Sequence, residues 1–298
     1  MQDTIPCLES VLRIDYPNYE VILVDNGSED RSVQEIRRRF TSVAILENRE
    51  NLGFAEGNNR GIELALKRGA DYVLLLNNDT EVDPGILQAF AEAIAEHPTT
   101  GMFSAKIYFF DEPRKLFYRG AKFIWQIAGY IHVGHHDVDT DTSTAVQDTG
   151  YASGCALLAS AKMIQKIGML DVRFYLNWED IEWSTRSINN GFGCKYVPGA
   201  IVYHKVSSSF VGGGEGPHNR YYFRRNHLLW IRLHLGRRYI VRYMLTIFIW
   251  RWLLDALTLI NPMANPKRRH LAKASFWGVV DYFRGRFGRG PDWLTVKS

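Results

Sequence analysis

The fold is decided by residues 71–98, which read DYVLLLNNDTEVDPGILQAFAEAIAEHP. The aliphatic run at 72–76 has the length and residue types of a buried strand. A helix is expected after Asp83, because proline is favoured at the first helical position and Pro98 follows the end of the apolar repeat. A polar cluster, Asn77-Asn78-Asp79-Thr80, stands between strand and helix. Its carboxylate either belongs to a capped turn or holds a charged ligand.

The same alternation of strand and helix runs through the first 100 residues. Strands are predicted at 19–27 and 42–48, before the one at 72–76, with helices at about 31–40 and 58–68. Segments of this length and order predict an α/β fold with a doubly wound, mostly parallel sheet. Ligands of such sheets bind beyond the carboxyl ends of the strands, where this chain places its polar turns.

Bulk composition argues against two classes of protein. With 46% apolar and 23% charged residues, the chain is too apolar to be disordered. The three cysteines are widely spaced and form no CxxC pair, which argues against both a disulfide framework and a structural zinc site.

Charge is divided unevenly along the chain. Residues 219–298 carry 16 Lys and Arg against three Asp, whereas the preceding residues carry 20 against 29 acidic side chains. The basic end also holds five of the eight tryptophans and long aliphatic runs, which suits an anionic membrane surface better than nucleic acid. Its segment 239–260 is long enough to span a bilayer. Three charged side chains make insertion costly, so an interfacial helix is preferred over a span.

The first candidate site residues follow two of the predicted strands. Asp25 and Asn26 have two possible interpretations. They can form a turn with a helix cap, or their carboxylate and amide can recognise a nucleobase and ribose. At the second cluster a capped turn and a divalent-cation site are both open. In the cation site Asp79 supplies one oxygen ligand, a nucleotide diphosphate supplies others, and Asn77 or Asn78 bonds the ribose.

A third candidate site lies in residues 177–204, which read NWEDIEWSTRSINNGFGCKYVPGAIVYH. Glu179 and Asp180 stand at the start of a predicted helix, where the helix dipole alone would favour negative charge. With Trp178 beside them, they equally suit sugar recognition and general-base catalysis. His204 ends the following strand, and a lone histidine there is more often a packed side chain than a ligand.

The order and spacing of these motifs resemble the family 2 glycosyltransferases, inverting enzymes with the GT-A nucleotide-sugar fold. The rhamnosyltransferase-like branch of bacterial polysaccharide and cell-wall biosynthesis is the most similar. The resemblance covers about residues 5–230. It is carried by four stretches: YEVILVDNGSEDRS, NRENLGFAEGNNRGIELALKRGADYVLLLNNDTEVDPGIL, SGCALLASAKMIQKIGMLDVRF and NWEDIEWSTRSINNGFGCKYVPGAIVYH.

The resemblance assigns the donor side of the site. It implies that Asp25 and Asn26 meet the base of the nucleotide. Asp79 closes the metal-binding motif of the family and binds Mn²⁺ or Mg²⁺, and His204 matches its late metal ligand. Asn77 stands where many members carry an aspartate.

The acceptor side follows from the same resemblance. Asp180 matches the catalytic base, and Trp178 and Glu179 would lie along the acceptor sugar. The implied domains are a glycosyltransferase domain at 1–218 and a helical, basic, membrane-associated region at 219–298.

The implied reaction moves a sugar from a dTDP- or UDP-linked donor, with rhamnose from dTDP expected, to a hydroxyl of a lipid-linked or polysaccharide acceptor. The expected location is cytoplasmic, peripheral at the inner face of the plasma membrane. One alternative is a catalytically impaired glycan-binding or scaffold homologue. Another is a sugar nucleotidyltransferase, which should show an early Gly-rich, Lys- or Arg-bearing phosphate loop that is not visible here.

The chain departs from the family pattern at its start. Family members begin with an apolar strand, whereas this sequence opens at MQDTIPCLESVL, which matches the helix after that strand. We therefore expect the first strand of the family fold to be missing from this chain, and about 10–15 further residues to precede it in the natural protein.

Overall fold

The structure is a computed structural model that describes residues 1–206, 216–245, 249–261 and 263–294. The described residues form two compact units. The first contains 1–122, 131–170 and 180–206, and the second contains 123–130, 171–179 and the described part of 207–298. The basic C-terminal region belongs to the second unit together with two earlier segments, 123–130 and 171–179. The expected boundary at 218/219 therefore does not separate the two units.

The first unit alternates strands and helices in its N-terminal part, close to the predicted bounds except for α3, which begins at Gly53 and not at 58. The elements are α1 (Thr4–Val11), β1 (Ile22–Asp25), α2 (Ser32–Arg39), β2 (Ala44–Glu47), α3 (Gly53–Lys67), β3 (Tyr72–Leu76), β4 (Thr80–Val82) and α4 (Ile86–Glu96). Along the chain they are followed by β5 (Met102–Phe109), β6 (Leu116–Tyr118), β7 (Ala121–Ile124), β8 (Gly129–His132), β9 (Gln147–Asp148), β10 (Ala156–Ser160), α5 (Ala161–Ile167), α6 (Glu179–Asn189) and β11 (Cys194–His204). Part of β7, part of β8 and the first residue of α6 fall in the segments that belong to the second unit.

The strands confirm the α/β class and form a mixed sheet. The central sheet has the order β3-β10-β5-β11-β4, with β6 beside β5 and β9 beside β11. Pairing is parallel for β1 with β2 and for β5 with β11, and antiparallel for β10 with both its neighbours and for β4. The direction reverses at β4 because only residues 77–79 separate it from β3, too few for a crossover that keeps strands parallel.

The pair β1–β2 forms a sheet of its own. Within the described ranges, no strand is hydrogen-bonded to the second edge of β1, and β3 pairs only with β10. The carboxyl ends of β1 and β3 are the places where the polar clusters leave the strands, as the sequence predicts.

The core of the first unit fixes the start of α6. Buried aliphatic side chains from α3, α5 and the sheet pack around Trp183, which is fully buried. The Trp183 Nε1 group donates a hydrogen bond of 2.9 Å to the carbonyl of Gly168. Asn59 of α3 bonds both the amide and the carbonyl of Leu170, at 3.1 and 2.9 Å. These contacts hold α6 on the sheet.

The described part of the second unit contains the α-helices α7 (Pro217–His234), α8 (Arg237–Tyr243), α9 (Ile249–Ile260) and α10 (Pro266–Phe283). α7 and α10 pack closely at Gly278, where a Cβ would lie 2.5 Å from the carbonyl oxygen of Tyr221. The apolar segment 239–260 is divided between α8 and α9, and its residues 246–248 lie outside the described residues. No helix in the described ranges has both the length and the apolar composition that a membrane span needs.

Candidate active site

The structure brings Asp79 and His204 together, although 125 positions separate them. Asp79 lies in the turn between β3 and β4, and β4 pairs with β11 so that Thr80 lies opposite His204. As a result, Nε2 of His204 is 3.2 Å from Oδ1 of Asp79. The backbone closes the arrangement, since the amide of Lys205 donates to the carbonyl of Asp79 at 2.9 Å. Both side chains are buried.

This pair fits a divalent cation. Among the described residues, Nδ1 of the buried His204 has no hydrogen-bond partner and the contact of Nε2 with Asp79 does not have hydrogen-bond geometry, which is an unusual state for a buried imidazole. The ring is held in place by the edge of Phe117, at 4.9 Å between centroids. No group of three or more potential ligand side chains occurs in the described part of the chain. The described residues thus bring two potential ligands together here, and a bound substrate would have to supply others.

The other two acids of the cluster have structural contacts instead. Glu81 lies in β4, and its Oε1 is 2.8 Å from Nζ of Lys205. Oδ1 of Asp83 accepts a hydrogen bond of 2.8 Å from the amide of Gly85, which stabilises the turn before α4. The helix itself begins at Ile86, two residues later than the proline suggested.

The three asparagines of the donor side differ in how many hydrogen bonds they already make. Nδ2 of the exposed Asn78 donates to Oγ1 of Thr4 at 2.9 Å. The half-buried side chain of Asn77 makes no hydrogen bond within the described ranges. Asn26 uses its full capacity in contacts of 3.0–3.2 Å to Asn48, Asn51, Leu52 and Gly53. Asn26 therefore ties the turn after β1 to the loop after β2, and a base could reach it only by replacing those bonds.

Asp25 stays available at the carboxyl end of β1. Its Oδ2 accepts a bond of 3.1 Å from the amide of Ser28, which leaves acceptor capacity on the half-exposed carboxylate. The turn passes close to the neighbouring loop at Gly27, which has a φ of +84°. A Cβ there would lie 2.7 Å from the backbone of Glu50, so only glycine fits both the conformation and the space.

Asp180 is held in a fixed orientation in the first turn of α6. Its Oδ2 accepts a bond of 2.9 Å from the amide of Gly154, and its Oδ1 accepts one of 2.8 Å from the amide of Ile181. Burial raises the pKa of Asp180, and the two amide bonds oppose that rise. A carboxyl group with a raised pKa and a fixed orientation is suited to accept a proton at neutral pH.

The expectation for Trp178 is corrected by its burial. Its side chain is only 4% exposed, and its ring stacks on His227 with 4.2 Å between centroids. Phe223 and Trp230 of the same helix, α7, pack at 5.5 and 5.6 Å. The ring is thus part of the core of the second unit and is not an open platform for a sugar. Glu179 is also buried, at 5% exposure.

His227 behaves as a neutral packing residue beside Trp178. Its Nε2 is 2.8 Å from the carbonyl oxygen of Ala128, and its Nδ1 is 3.2 Å from the hydroxyl of Tyr243. Burial lowers the pKa of His227 to about 4. The imidazole therefore carries no charge at neutral pH, which allows it to stack inside the core.

Several residues around these side chains were not predicted from the sequence. Gly154 contributes a backbone amide, which leaves no trace in residue type. The Nδ1 atoms of His132 and His135 both lie within 3.1 Å of the carbonyl oxygen of Phe117, the residue whose ring contacts His204. Arg225 is fully buried in α7, although arginine in a basic segment suggests an exposed side chain.

Comparison with known proteins identifies the family. The sequence model of the family described as "Glycosyl transferase family 2" matches residues 2–150, which are half of the chain. An N-acetylglucosaminyl-diphospho-decaprenol L-rhamnosyltransferase of Mycobacterium tuberculosis is 28% identical over 213 residues, which cover 63% of this chain and 67% of that protein. The dTDP-rhamnosyl transferase RfbF of Shigella flexneri is 22% identical over 225 residues, covering 72% of this chain and 71% of that protein.

A solved structure shares the fold. GalNAc-T7, crystallised with UDP, GalNAc and Mn²⁺, superposes with a TM-score of 0.59 at 15% identity, over 92% of this chain and 52% of that chain. It supports the α/β architecture of the GT-A type that the motifs predict. The chain belongs to glycosyl transferase family 2, and it is a glycosyltransferase similar to the rhamnosyltransferases.

Proposed function

We propose that this protein is a metal-dependent, inverting glycosyltransferase that transfers rhamnose from a dTDP-linked donor to a hydroxyl of a lipid-linked glycan. The observation that carries the proposal is the approach of Asp79 and the otherwise unpartnered His204 to 3.2 Å at one end of the sheet. The donor and acceptor classes are supported by the names of the two rhamnosyltransferase relatives. A UDP-linked donor and a polysaccharide acceptor are the alternatives within the same reaction.

Asp79 and His204 are the proposed ligands of the metal. Carboxylate oxygen suits Mn²⁺ and Mg²⁺, and imidazole favours Mn²⁺ of the two. A bound ion supplies positive charge next to the diphosphate leaving group. Support for a divalent ion also comes from GalNAc-T7, whose structure contains Mn²⁺.

Donor binding is assigned to the carboxyl ends of β1 and β3. Asp25 is proposed to accept hydrogen bonds from the nucleotide base, and Asn77 to bond the ribose. Asn78 is also proposed to bond the nucleotide, in place of its present hydrogen bond to Thr4. We assign Asn26 to hold the loop that borders the nucleotide, because its own hydrogen-bonding capacity is already used.

Asp180 is the proposed catalytic base. Its carboxylate accepts the proton of the acceptor hydroxyl, whose oxygen forms a bond to the anomeric carbon of the donor sugar. The bond from that carbon to the diphosphate breaks on the opposite face, and its electron pair leaves with the nucleoside diphosphate. A single displacement of this kind inverts the anomeric configuration. Glu179, next to the base, is assigned to the acceptor side.

Membrane association is proposed for the second unit through α9. Trp250, Leu253, Leu254, Leu257 and Ile260 recur at helical spacing and are 41–76% exposed. The opposite side of α9 packs on α10, where Trp252 stacks on Phe276 at 5.0 Å and Asp255 accepts a hydrogen bond from Ser275. An exposed apolar stripe on a helix is the pattern of an interfacial anchor.

The start of α10 adds the charge that such an anchor needs. Lys267, Arg268 and Arg269 are all exposed. Anionic lipids attract such cations by about 1 kcal/mol each. We therefore propose that the protein acts at the cytoplasmic face of the plasma membrane, where both nucleotide sugars and lipid-linked acceptors are present.

The test is release of dTDP from dTDP-rhamnose, with and without Mn²⁺, in the presence of a sugar-diphospho-polyprenol acceptor. Mn²⁺-dependent release, abolished by EDTA and accompanied by an inverted linkage in the product, is expected. Absence of turnover with a panel of nucleotide sugars, combined with glycan binding, would instead indicate a scaffold. Production of a nucleotide sugar and pyrophosphate from a nucleoside triphosphate and a sugar phosphate would indicate a nucleotidyltransferase.

A further inference from the structure

We propose that Arg225 and Asn226 of α7 are positioning residues that fix the loop 173–178, from which the chain runs directly into Asp180. The inference rests on the proposed function of Asp180 as the base. Neither residue is assigned a contact with substrate. Their effect on the reaction would come through the backbone that precedes the base.

Asn226 is directed at the loop. It is fully buried, and its Nδ2 lies 2.6, 2.8 and 2.8 Å from the carbonyl oxygens of Phe174, Leu176 and Asn177. Three of the four carbonyls at 174–177 thus converge on one NH₂ group, which has two hydrogens to share among them. Such a contact fixes the direction of each peptide plane in the loop, because the carbonyl oxygens must converge on a single point.

Arg225, the residue before Asn226 in the helix, also bonds the backbone of the loop. Its Nη2 donates to the carbonyls of Arg173 and Phe174 at 3.2 Å, and its Nη1 donates to the carbonyl of Gly288 at 2.7 Å. Its Nε donates to Oδ1 of Asn226 at 2.9 Å, which orients the neighbouring amide. The two side chains thus form one unit, which we call the α7 clamp.

The charge of Arg225 indicates that the α7 clamp has a specific task. The side chain is fully buried, and burial lowers the pKa of its guanidinium. The cation rests over the rings of Tyr221 and Tyr222, at 5.3 and 4.8 Å, and donates to backbone carbonyls. Buried cations are costly unless they are fully hydrogen-bonded, so an aliphatic residue would be the simpler choice for packing alone.

The loop needs such support because its backbone is strained. Tyr175, Asn177 and Trp178 have φ values of +61°, +65° and +77°. Residues with a Cβ rarely adopt the left-handed region, and three of them in four positions persist only where surrounding contacts impose the conformation. The chain enters α6 at Glu179, and Asp180 is the second residue of that helix. A relaxed loop would therefore change the path of the backbone immediately before the base.

The experiment compares Asn226→Ala with Asn219→Ala. Asn219 is a buried asparagine of the same helix, and it makes no hydrogen bond to the loop within the described ranges. Both variants lose a buried amide, so a general loss of stability affects both. Measurements are kcat and KM for metal-dependent turnover of dTDP-rhamnose, the Kd of dTDP, and hydrogen exchange of the amides at 173–178. Arg225→Lys, which keeps the charge but loses the fork of donors, is the conservative variant.

The expected result is a split between kcat and binding. For Asn226→Ala, kcat falls by about tenfold or more, because misplacement of a reacting group by about 1 Å can cost about 100-fold. KM and the Kd of dTDP stay within about twofold, the loop amides exchange faster, and Arg225→Lys falls between wild type and Asn226→Ala. Asn219→Ala keeps wild-type kcat and loop exchange.

Two outcomes would overturn the inference. One is an unchanged exchange rate at 173–178 in Asn226→Ala, and the other is a loss of kcat that is equal in Asn219→Ala and follows the folded fraction. Failure of the proposed function looks different, because the wild type itself would then show no metal-dependent turnover. Hydrogen exchange would still report on the α7 clamp in that case.

Discussion

Replacement of the proposed base, Asp180→Asn, separates catalysis from folding. Loss of a general base costs about 100- to 10,000-fold in rate. At about 1.4 kcal/mol for each factor of ten, the barrier rises by about 3–5 kcal/mol. The proposed donor-binding residues at the ends of β1 and β3 are untouched, so the Kd of dTDP should stay within about twofold of wild type.

The structure predicts that this variant stays folded. Both carboxylate oxygens of Asp180 accept a hydrogen bond from a backbone amide, one from Gly154 and one from Ile181. In Asp180→Asn an NH₂ group replaces one of these oxygens, so one of the two amides loses its acceptor. That loss costs about 1–3 kcal/mol. An opposite effect comes from charge, since burial raises the pKa of Asp180 and ionisation therefore destabilises the fold at neutral pH. Asparagine removes that cost, and the two contributions oppose each other.

The same raised pKa predicts a pH dependence. The base works when deprotonated, so the acidic limb of kcat/KM should lie above about pH 3.9, the value of an unperturbed aspartic acid. Stability changes in the opposite direction. As pH rises through the unfolded-state pKa to the higher folded-state pKa, the wild type loses stability, whereas Asp180→Asn does not show this loss.

The assay is dTDP release from dTDP-rhamnose at saturating Mn²⁺, together with thermal unfolding at several pH values. Asp83→Asn is the matched control, because the Asp83 side chain bonds only the amide of Gly85 before α4 among the described residues, and its replacement should leave kcat unchanged. Turnover by Asp180→Asn within a few-fold of wild type would show that another group accepts the proton.

Three further changes test other parts of the structure. His204→Ala should weaken Mn²⁺ binding at least about tenfold, as measured by electron paramagnetic resonance with dTDP present; equal affinity would remove His204 from the ligand set. Leu254→Asp on α9 should reduce sedimentation with vesicles of anionic lipid, because burial of a leucine contributes about 1.5–3 kcal/mol; the control is Ile188→Asp, an exposed aliphatic of the first unit. Gly278→Ala should lower the melting temperature by several degrees, at about 1–3 kcal/mol, because its Cβ would lie 2.5 Å from the carbonyl oxygen of Tyr221; an unchanged melting temperature would show that α7 and α10 can separate without cost.

The elements with strong periodicity were predictable, and the pairing of strands was less so. The helix at 31–40 and the strands ending at Asp25 and Leu76 lie within a few residues of their predicted bounds. The antiparallel position of β10 was not predictable, because strands of small residues carry no signal for direction. The separation of β1 and β2 from the central sheet was not predictable either, because strand pairing depends on long-range contacts that local sequence patterns do not specify.

The candidate site was predictable where its proposed ligands are side chains of a characteristic residue type. Asp79 follows a buried strand, and His204 ends another, so both could be placed at strand ends from the sequence. Their approach to 3.2 Å depends on the register of β4 with β11, which the motifs of the family imply but local patterns do not. Trp178 shows the opposite case. An aromatic beside two acids suggests a sugar platform, but its neighbours from α7 come from 45–52 positions later in the chain and bury it.

Asparagine shows most clearly what the sequence lacks. Asn26, Asn77 and Asn226 have the same side chain, and two of them stand in motifs that suggest ligand binding. In the fold, the side chains of Asn26 and Asn226 are joined to backbone or amide groups by three or more contacts each, whereas the side chain of Asn77 makes no hydrogen bond within the described ranges. A carboxamide has a limited number of donors and acceptors, so the bonds already made determine what remains for a ligand. By that criterion Asn77 is the asparagine we propose as a direct ligand of the nucleotide, while Asn26 and Asn226 are proposed to act by holding the backbone segments to which they bond.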